Sequence, residues 1–458
     1  MAYQPVIFRE YDIRGVYNEQ FDLDFAEKLG RAIVSYFLKV KNIHAPRITL
    51  GHDARISSPD IIAALARGIL QSGGSIVRLG LVTTPIAYYS TFALKDIQGS
   101  VMVTGSHNPP SYNGFKISIG QTTIFGKEIQ LLEKIVAQSS FVISKSPGKE
   151  SSLDILPQYV ERYAKEFGQL SPVPVVLDCG NGAAGCVARR LFEAVGLKPK
   201  ILFETPDGTF PNHHPDPTVE KNLRDLSREV KQMKALVGIG FDGDADRIGL
   251  VDEDGRQILG DELIALCGRF ILEKLPGSKI IGDVKCSDRI YDYILKYGGE
   301  PIMWKTGHSL IKEKVKSEHA PFGGELSGHV FFADRNYGYD DALYAALRVV
   351  EILSKTGKTI RQLLSDLPAS FNTPEIRIDT TEEKKVSIVE AIRHNYSKNS
   401  DEYKINVIDG IRISFPDGWA LARPSNTQPV LVLRFESTTE RGLQRIRQKI
   451  ESIVTPLL

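Results

Sequence analysis

The sequence predicts an α/β fold: three related α/β domains with mixed sheets, followed by a smaller C-terminal α+β domain. The first reason is that short apolar runs alternate with amphipathic helical stretches through most of the chain. The second is that about the last 90 residues hold mainly short strands with two helical stretches. A length of 458 residues alone suggests about three domains, so the pattern of elements adds a fourth.

Three stretches share one order of elements: an apolar strand, a turn rich in Gly, Ser or Asp, an amphipathic helix closed by Gly, and a second strand. They begin at RITLGHD (47–53), VPVVLDCG (173–180) and SKIIGDV (278–284). The helices that follow are IIAALARGILQSG, CVARRLFEAVG and DRIYDYILKYG, and the second strands are SIVRLG, KILFE and EPIMWK. We interpret them as related structural units, since no sequence period repeats.

The C-terminal part differs because most of its strands follow one another directly. The strands are PEIRIDT, YKINVID, GIRISFP, GWALARP and PVLVLRFES, and the helices are EEKKVSIVEAIRHNYS and ERGLQRIRQKIESIV. The segment LPASFNTP (367–374), with two prolines and little charge, is the predicted linker. The predicted domains are 1–150, 151–254, 255–367 and 368–458.

Composition narrows the function classes. The 57 Lys and Arg residues against 56 Asp and Glu residues give a net charge of +1, which argues against a dedicated nucleic-acid binder. Four cysteines without zinc spacing are typical of a reduced cytosolic protein. The N-terminal sequence has no signal-peptide pattern, and no apolar run reaches the length of a membrane span. We therefore expect a cytoplasmic protein without a membrane partner.

Three aspartates alternate in FDGDADRIGLVD (241–252), directly after the apolar run ALVGIG. Small residues separate Asp242, Asp244 and Asp246, so the backbone can curl and the carboxylates can converge on a hard divalent cation. An EF-hand loop fits less well, because Arg247 stands where that loop needs Gly and the run follows a strand. A solvated acidic turn is the remaining alternative.

The run VMVTGSHNPPSYNGFK (101–116) places Ser106 on a loop after an apolar strand. Gly105 permits unusual backbone geometry and the prolines stiffen the end of the loop, which predicts that Ser106 sits on a rigid, exposed loop. The G-x-S-x-G pattern of a hydrolase nucleophile is missing, and the adjacent His107 is poorly placed as a base. A nucleophile and an ordinary turn serine fit this loop equally well.

A compact polar loop opens the run RPSNTQPVLVLRFES (423–437). Arg423, Ser425, Asn426 and Thr427 place a guanidinium, two hydroxyls and an amide within a few residues. Such a donor set suits a phosphate group. A polar turn between two strands is equally consistent with it.

Two further runs carry polar side chains of interest. In APFGGELSGHVFF (320–332), Glu325, Ser327 and His329 alternate, and in extended backbone they would point the same way. A carboxylate, a hydroxyl and an imidazole on one face suit sugar hydroxyls. A half-exposed strand explains them as well. In FREYDIRG (8–15), Tyr11 and Arg14 follow a short apolar strand, and a surface salt bridge is the simpler reading of this run alone.

Together, FREYDIRG, TGSHNPPSYNGFK, DGDADR, GELSGH and RPSNT resemble the α-D-phosphohexomutase family, most closely its bacterial phosphomannomutase/phosphoglucomutase branch. The motifs occur in the family's order and cover nearly the whole chain. The resemblance implies an isomerase that interconverts hexose 1-phosphates and 6-phosphates of mannose and glucose. It also implies an intramolecular phosphotransferase cycle through a phosphoserine and a hexose 1,6-bisphosphate.

The resemblance also implies roles for single residues. Ser106 would carry the phosphoryl group and, with Asp242, Asp244 and Asp246, would bind one Mg²⁺ per chain. The catalytic set would further comprise Arg247 beside the phosphoryl group, and Lys116, Arg14 and His329 as candidates for proton transfer. The remaining positions that match the family's substrate site are Tyr11, Lys285, His308, Glu325, Ser327, His329, Arg423, Ser425, Asn426 and Thr427.

The implied partners are small hexose phosphates, with glucose 1,6-bisphosphate as activator, and a monomer is expected. Phosphoryl transfer depends on positioning and charge neutralisation, so cations are needed around three aspartates and a phosphoserine. A lysine of lowered pKa held near arginine would suit proton transfer. Bending at LPASFNTP would close the last domain over the substrate and exclude water.

Three other functions are less consistent with the sequence. A phosphoglucosamine mutase would belong to the same family, but GELSGH suits a 2-amino sugar less well. A Mg²⁺-dependent sugar phosphatase would release inorganic phosphate instead of conserving sugar phosphate. A catalytically silent sugar-phosphate-binding protein is disfavoured, because Ser106, Lys116 and the three aspartates are all present.

Overall fold

The structure is a computed structural model of the chain, and it describes residues 3–397, 403–425 and 428–458. It contains four β-sheets, one for each predicted domain. We refer to the sheets with their covering helices as modules 1 to 4. Four short 3₁₀ helices lie at Pro5–Ile7, Ala183–Cys186, Glu220–Leu223 and Thr455–Leu457.

Module 1 has a seven-stranded mixed sheet in the order β1–β5–β4–β2–β3–β7, with β6 beside β5. Its strands are β1 (Ile13–Val16), β2 (Arg47–His52), β3 (Ser75–Leu81), β4 (Gly99–Val103), β5 (Tyr112–Ile119), β6 (Thr122–Thr123) and β7 (Glu150–Ser152). Its helices are α1 (Leu23–Lys41), α2 (Ser58–Gln71), α3 (Thr84–Ala93) and α4 (Lys127–Ala137).

Module 2 has a five-stranded sheet in the order β12–β11–β10–β8–β9. Its strands are β8 (Val175–Asp178), β9 (Lys200–Leu202), β10 (Val237–Phe241), β11 (Ile248–Asp252) and β12 (Gln257–Ile258). Its helices are α5 (Leu156–Phe167), α6 (Ala188–Ala194) and α7 (Arg224–Met233).

Module 3 has a four-stranded sheet in the order β14–β13–β15–β16. Its strands are β13 (Lys279–Asp283), β14 (Glu300–Trp304), β15 (Phe322–Gly324) and β16 (Val330–Phe332). Its helices are α8 (Gly260–Leu272), α9 (Asp288–Lys296), α10 (His308–Ser317), α11 (Ala342–Thr356) and α12 (Ile360–Leu363).

Module 4 has a six-stranded sheet in the order β17–β22–β21–β20–β19, with β18 beside β22. Its strands are β17 (Phe371–Asn372), β18 (Ile376–Asp379), β19 (Lys404–Asn406), β20 (Ile411–Phe415), β21 (Gly418–Pro424) and β22 (Val430–Ser437). Its helices are α13 (Glu382–Ser397) and α14 (Glu440–Val454). All strand pairs here are antiparallel, so the predicted α+β domain is confirmed.

The three predicted units are confirmed as parallel strand–helix–strand units: β2–α2–β3, β8–α6–β9 and β13–α9–β14. In each module a third strand (β4, β10 or β15) lies parallel to the first strand on its other side. That third strand then pairs with an antiparallel strand that follows it in sequence (β5, β11 or β16). The three α/β modules therefore share one topology although their sequences differ.

One apolar cluster spans modules 1 to 3, and module 1 has a second one between its sheet and the helices α1, α2 and α4. The shared cluster contains Tyr88 of α3, Tyr159 of α5 and Leu347 of α11, so the three modules pack on each other through these helices. Module 4 has a separate core between its sheet and its two helices. It contacts module 3 through a small cluster that includes Val284 and Trp419.

The ends of the sheets differ slightly from the predicted domain boundaries. Strand β7 continues to Ser152, two residues past the predicted boundary at 150, and β12 lies beyond the one at 254. Strand β17 lies inside the predicted linker and pairs with β22. The boundary residues themselves stay predictions. Among the described residues, no helix combines the length and the apolar character that crossing a bilayer requires.

Candidate active site

Four of the predicted site motifs lie at connections between strands, one in each module. Residues 104–111 connect β4 to β5, residues 242–247 connect β10 to β11, and residues 325–329 connect β15 to β16. In module 4 the loop after Arg423 connects β21 to β22. Each connection joins two antiparallel strands. The shared topology of modules 1 to 3 delivers one polar loop from each of them, and module 4 adds a loop between two strands of its antiparallel sheet.

These loops meet at a cavity of about 900 Å³, which is within the size range of small-molecule sites. Its walls include the side chains of Tyr11, Arg14, Ser106, Lys116, Arg247, Lys285, His308, Glu325, Ser327, His329, Arg423 and Ser425. Among the described residues, nine Lys and Arg residues line the cavity, against five Asp and Glu residues. This excess of positive charge favours an anionic ligand.

Ser106 occupies a constrained position at the floor of the cavity. Its backbone φ is 49°, in the left-handed region that non-glycine residues seldom adopt. The Oγ donates a hydrogen bond to Asp242 Oδ2 over 2.7 Å and lies 3.1 Å from His107 Nδ1. The expected exposed loop is present in part, since Pro109, Pro110 and Ser111 are exposed. Ser106 itself is only 2% exposed, because its end of the loop packs against module 2.

An arginine and an aspartate that sequence reasoning missed hold this loop in place. The buried guanidinium of Arg55 donates to the carbonyl oxygens of residues 106, 108, 109 and 112. Asp53 accepts hydrogen bonds from the Thr104 hydroxyl and from the Gly105 amide. Both residues directly follow β2, which lies parallel to β4. Only this pairing brings them to the Ser106 loop, and nothing in the sequence marks them apart from other charged residues.

The three aspartates lie beneath Ser106 as a compact buried cluster. Asp242, Asp244 and Asp246 each offer an oxygen within 4.8 Å of the others, and none is more than 1% exposed. Burial and the two neighbouring carboxylates raise the pKa of Asp242 well above its ordinary value. The cluster connects two strands, so it is neither an EF-hand, which needs flanking helices, nor a solvated turn.

The donor set fits a hard divalent cation. Oδ1 of Asp244 and Oδ1 of Asp246 are buried and accept no hydrogen bond within the described part of the chain. A buried carboxylate oxygen without a donor is costly, and three oxygens at one point suit Mg²⁺ or a similar ion. Asp242, Asp244 and Asp246 could therefore hold such an ion next to the Ser106 hydroxyl.

Lys116 projects from β5 against the same aspartates. Its Nζ lies 2.8 Å from Asp244 Oδ2 and also contacts Asp246 Oδ2. Burial alone would lower the pKa of Lys116, but the two carboxylates outweigh it and hold that pKa well above its ordinary value. The expectation of a lowered pKa is wrong in this arrangement, because it counted the neighbouring arginines and not the direct aspartate contacts.

The GELSGH motif forms a tight turn, and the expectation of extended backbone is wrong. Gly328 has a φ of 84°, and the Glu325 amide donates to the His329 carbonyl over 2.8 Å. The Ser327 hydroxyl lies 3.4 Å from Glu325 Oε2. The side chains line one cavity because the turn faces it, and not because they alternate along a strand.

His329 connects the turn to the phosphoryl side of the cavity. Its Nε2 accepts a hydrogen bond from Arg247 Nε over 3.0 Å. The ring stacks on His308 with centroids 5.2 Å apart. Modules 2 and 3 are thereby joined at the cavity wall.

Module 4 contributes the opposite wall. Arg423 Nε donates to Asp409 Oδ2 over 3.0 Å, and Asp409 also accepts from the Thr306 amide of module 3. Lys385 donates to the Ser425 carbonyl over 2.6 Å, which fixes the start of the RPSNT loop. Asn426 and Thr427 lie outside the described residues.

The N-terminal motif and Lys285 also line the cavity. The Tyr11 hydroxyl donates to the Thr306 carbonyl over 2.8 Å, and Arg14 pairs with Asp12. Lys285 forms an ion pair of 2.7 Å with Glu375 Oε1, which connects modules 3 and 4. Glu375 was not singled out from the sequence, where nothing marks it apart from other glutamates.

Comparisons with known proteins agree with this architecture. Models of the phosphoglucomutase/phosphomannomutase alpha/beta/alpha domains I, II and III match residues 5–142, 157–255 and 259–371. A model of the family's C-terminal domain matches residues 375–453. Nearly the whole chain is covered in the expected order.

Individual relatives are similar over almost their full length. The Phosphomannomutase/phosphoglucomutase of Pseudomonas aeruginosa is 43% identical over 96% of this chain and 94% of its own. The Phosphoglucomutase of Neisseria gonorrhoeae is 41% identical over 98% of this chain and 96% of its own. A crystal structure of a Phosphoglucomutase/phosphomannomutase family protein from Burkholderia thailandensis has a TM-score of 0.92 and 40% identity, covering 100% of this chain and 98% of that one. The chain belongs to the phosphoglucomutase/phosphomannomutase family.

Proposed function

We propose that the protein interconverts the 1-phosphates and 6-phosphates of mannose and glucose through a phosphoserine at Ser106. The observation that carries this proposal is the placement of the Ser106 hydroxyl. It hydrogen-bonds to Asp242, one of the three clustered aspartates. It also lines a cationic cavity that is large enough for a sugar phosphate. A nucleophile, a cation site and an anion site meet there.

The proposed cycle moves one phosphoryl group in each direction. In the first half, the free hydroxyl of a hexose phosphate attacks the phosphorus of phosphoserine 106, and the bond from phosphorus to the serine oxygen breaks. The hydroxyl proton passes to a base and the product is a 1,6-bisphosphate. The bisphosphate then reorients within the site, so that its other phosphate faces the serine. In the second half, the serine oxygen takes up that phosphoryl group and the proton returns to the departing sugar oxygen.

The aspartates and the cationic residues have separate tasks in this cycle. Asp242, Asp244 and Asp246, with an oxygen of the phosphoserine, would hold one Mg²⁺, which supplies charge neutralisation when bound. Arg247 lines the cavity beside Ser106 and would stabilise the equatorial oxygens of the transferring group. Lys116, Arg14 and His329, which also line the cavity, are the candidates for holding the proton between the two halves.

Substrate recognition would divide between modules 3 and 4. Glu325 and Ser327 would bind O3 and O4 of the sugar, whose orientation glucose and mannose share. The loop of Arg423, Ser425, Asn426 and Thr427, with Lys285, Tyr11 and His308 nearby, would hold the phosphate that does not react. Since glucose and mannose differ only at C2, both epimers would be accepted.

We further propose glucose 1,6-bisphosphate as the activator, because it can restore a dephosphorylated Ser106. A monomer suffices for this mechanism, since one chain supplies all four walls of the cavity. The cytoplasm is the proposed location, because charged sugar phosphates do not cross membranes unaided.

A coupled assay with Mg²⁺ and a trace of glucose 1,6-bisphosphate tests the proposal. Mannose 1-phosphate, glucose 1-phosphate and glucosamine 1-phosphate are offered separately, to the wild type and to Ser106→Ala. We expect comparable turnover of the first two substrates and strong impairment of the variant. Turnover of glucosamine 1-phosphate alone would instead indicate a phosphoglucosamine mutase, and release of inorganic phosphate without 6-phosphate would indicate a phosphatase.

A further inference from the structure

We propose that Asp340 is a positioning residue that fixes the proton of His329 on Nδ1, so that Nε2 stays an acceptor for Arg247. The inference rests on the proposed function, in which Arg247 contacts the transferring phosphoryl group. Asp340 lies in the segment between β16 and α11 and is fully buried. It does not line the cavity, so it would act through His329.

The two nitrogens of His329 face opposite charges. Nδ1 lies 3.1 Å from Asp340 Oδ2 and 3.7 Å from Asp246 Oδ1. A lone pair on Nδ1 would face the carboxylate of Asp340, which is repulsive, whereas a proton there is attracted to it. Nε2 meets the Nε–H of Arg247, which can only donate. The hydrogen bond at Nε2 requires a lone pair there, and the short distance to the Asp340 carboxylate favours the neutral ring with its proton on Nδ1.

Asp340 is itself held from the side away from His329. The Nζ of Lys312 lies 2.8 Å from Asp340 Oδ1. Lys312 in turn lies 4.1 Å from the centre of the Tyr88 ring of module 1 and donates to the Thr123 hydroxyl. His308 Nδ1 lies 3.6 Å from Asp340 Oδ2. The carboxylate therefore joins α10, the GELSGH turn and module 1.

This arrangement determines how the guanidinium of Arg247 is held. Its guanidinium makes one hydrogen bond within the described residues, through Nε to His329. The remaining N–H groups are therefore free to bind phosphoryl oxygens. If the proton of His329 moved to Nε2, two donors would face each other and Arg247 would lose this support.

Replacing Asp340 by Asn tests this chain of contacts. The single carbonyl oxygen of Asn has to accept from Lys312, because an ammonium cannot accept from the amide group. The amide N–H groups then face Nδ1 of His329, which favours a proton on Nε2. We expect kcat to fall about 10- to 100-fold, the range for residues that orient a ligand group, with little change in KM.

The adjacent Asp341 provides a matched control. It is buried in the same segment but accepts from the Tyr159 and Tyr163 hydroxyls and from the Tyr344 amide at the start of α11. None of these groups touches His329 in the described structure. Asp341→Asn should therefore leave the tautomer of His329 and kcat close to wild type, and circular dichroism confirms that both variants fold.

The direct readout is the ¹⁵N NMR spectrum of protein labelled on histidine nitrogens, with the His329 signals assigned from their loss in His329→Gln. The proposal predicts a protonated Nδ1 in the wild type and in Asp341→Asn, and a protonated Nε2 in Asp340→Asn. It also predicts that Asp340→Asn adds little to the kcat loss of His329→Gln. An unchanged tautomer in Asp340→Asn, or fully additive losses, would overturn it. The tautomer is visible without turnover, so a missing mutase activity would overturn the proposed function separately.

Discussion

Ser106 Oγ donates a hydrogen bond to Asp242 Oδ2 over 2.7 Å, although the two residues are 136 positions apart in the chain. This contact joins the β4–β5 connection of module 1 to the β10–β11 connection of module 2. It places the proposed phosphoryl carrier directly above the proposed cation ligands. The relationship depends on how the two modules pack.

Divalent cations should stabilise the protein measurably. The buried carboxylates of the aspartate cluster repel one another, and the raised pKa of Asp242 reflects that repulsion and burial. Mg²⁺ in 100-fold excess over its dissociation constant adds about 2.7 kcal/mol by mass action. A thermal scan after chelation should therefore show a lower Tm that Mg²⁺ restores. Asp244→Asn should weaken the response, and an equal response in that variant would contradict the cation site.

Arg55→Lys should slow the reaction without weakening substrate binding. Lysine keeps the positive charge beside Asp53 but cannot donate to four carbonyl groups from one plane. The Ser106 loop would lose its support, and we expect kcat to fall about 10- to 100-fold, by analogy with other orienting residues. KM should change little, because Arg55 does not line the cavity.

The steady-state assay has a matched control in Arg67→Lys, which changes an exposed arginine paired with Glu27. That variant should behave as wild type. A large rise in KM for Arg55→Lys, with kcat unchanged, would show that the loop serves binding and not catalysis.

Asp341 should make the stability of the protein depend on pH. Burial raises the pKa of Asp341 to about 6, above its value of about 3.9 in an unfolded chain. A raised pKa means that the folded state binds the proton more tightly. The stabilisation is complete below about pH 4 and is lost as the pH rises to about 6, at a cost of at most about 3 kcal/mol.

Thermal scans between pH 4 and pH 7 test this linkage. Asp341→Asn keeps a good helix cap and removes the titrating group, so its Tm should rise relative to wild type across that interval. Asp379→Asn, at an exposed position, is the control and should track the wild type. A Tm difference between Asp341→Asn and wild type that stays constant with pH would refute the account of Asp341.

Glu325→Gln should impair mannose and glucose phosphates to the same extent. The side chain is buried at the cavity wall and is proposed to bind hydroxyls that both sugars present alike. Loss of a hydrogen bond to a charged group costs about 1.5–3 kcal/mol, which corresponds to a drop in kcat/KM of about 10- to 150-fold. A change in the ratio of the two kcat/KM values would mean that Glu325 senses the C2 configuration.

Much of the fold could be predicted because its signals are local. The helices at 382–397 and 440–454 and the strand at 418–424 have the bounds read from the sequence. The three strand–helix–strand units were visible from apolar runs and turn residues alone. The shared antiparallel connections were not, since which strands pair is decided by packing between distant segments.

The site was predictable as a set of motifs but not as a set of contacts. Ser106 and the three aspartates stand out by residue type, whereas Arg55, Lys312 and Asp340 are single charged residues that only the folded structure places near them. Two physical expectations were also wrong for this reason. The pKa of Lys116 follows from its aspartate partners, and Glu325, Ser327 and His329 share the cavity wall because of a turn.

The phosphoryl carrier offers the most direct test of the account. The protein is incubated with Mg²⁺ and with glucose 1,6-bisphosphate labelled on phosphorus, and the labelled residue is located by peptide mass spectrometry. Unlabelled glucose 1-phosphate is then added as a chase. The account predicts label on Ser106 that passes to the sugar phosphates. Label on another residue, or label that passes only to inorganic phosphate, would contradict it.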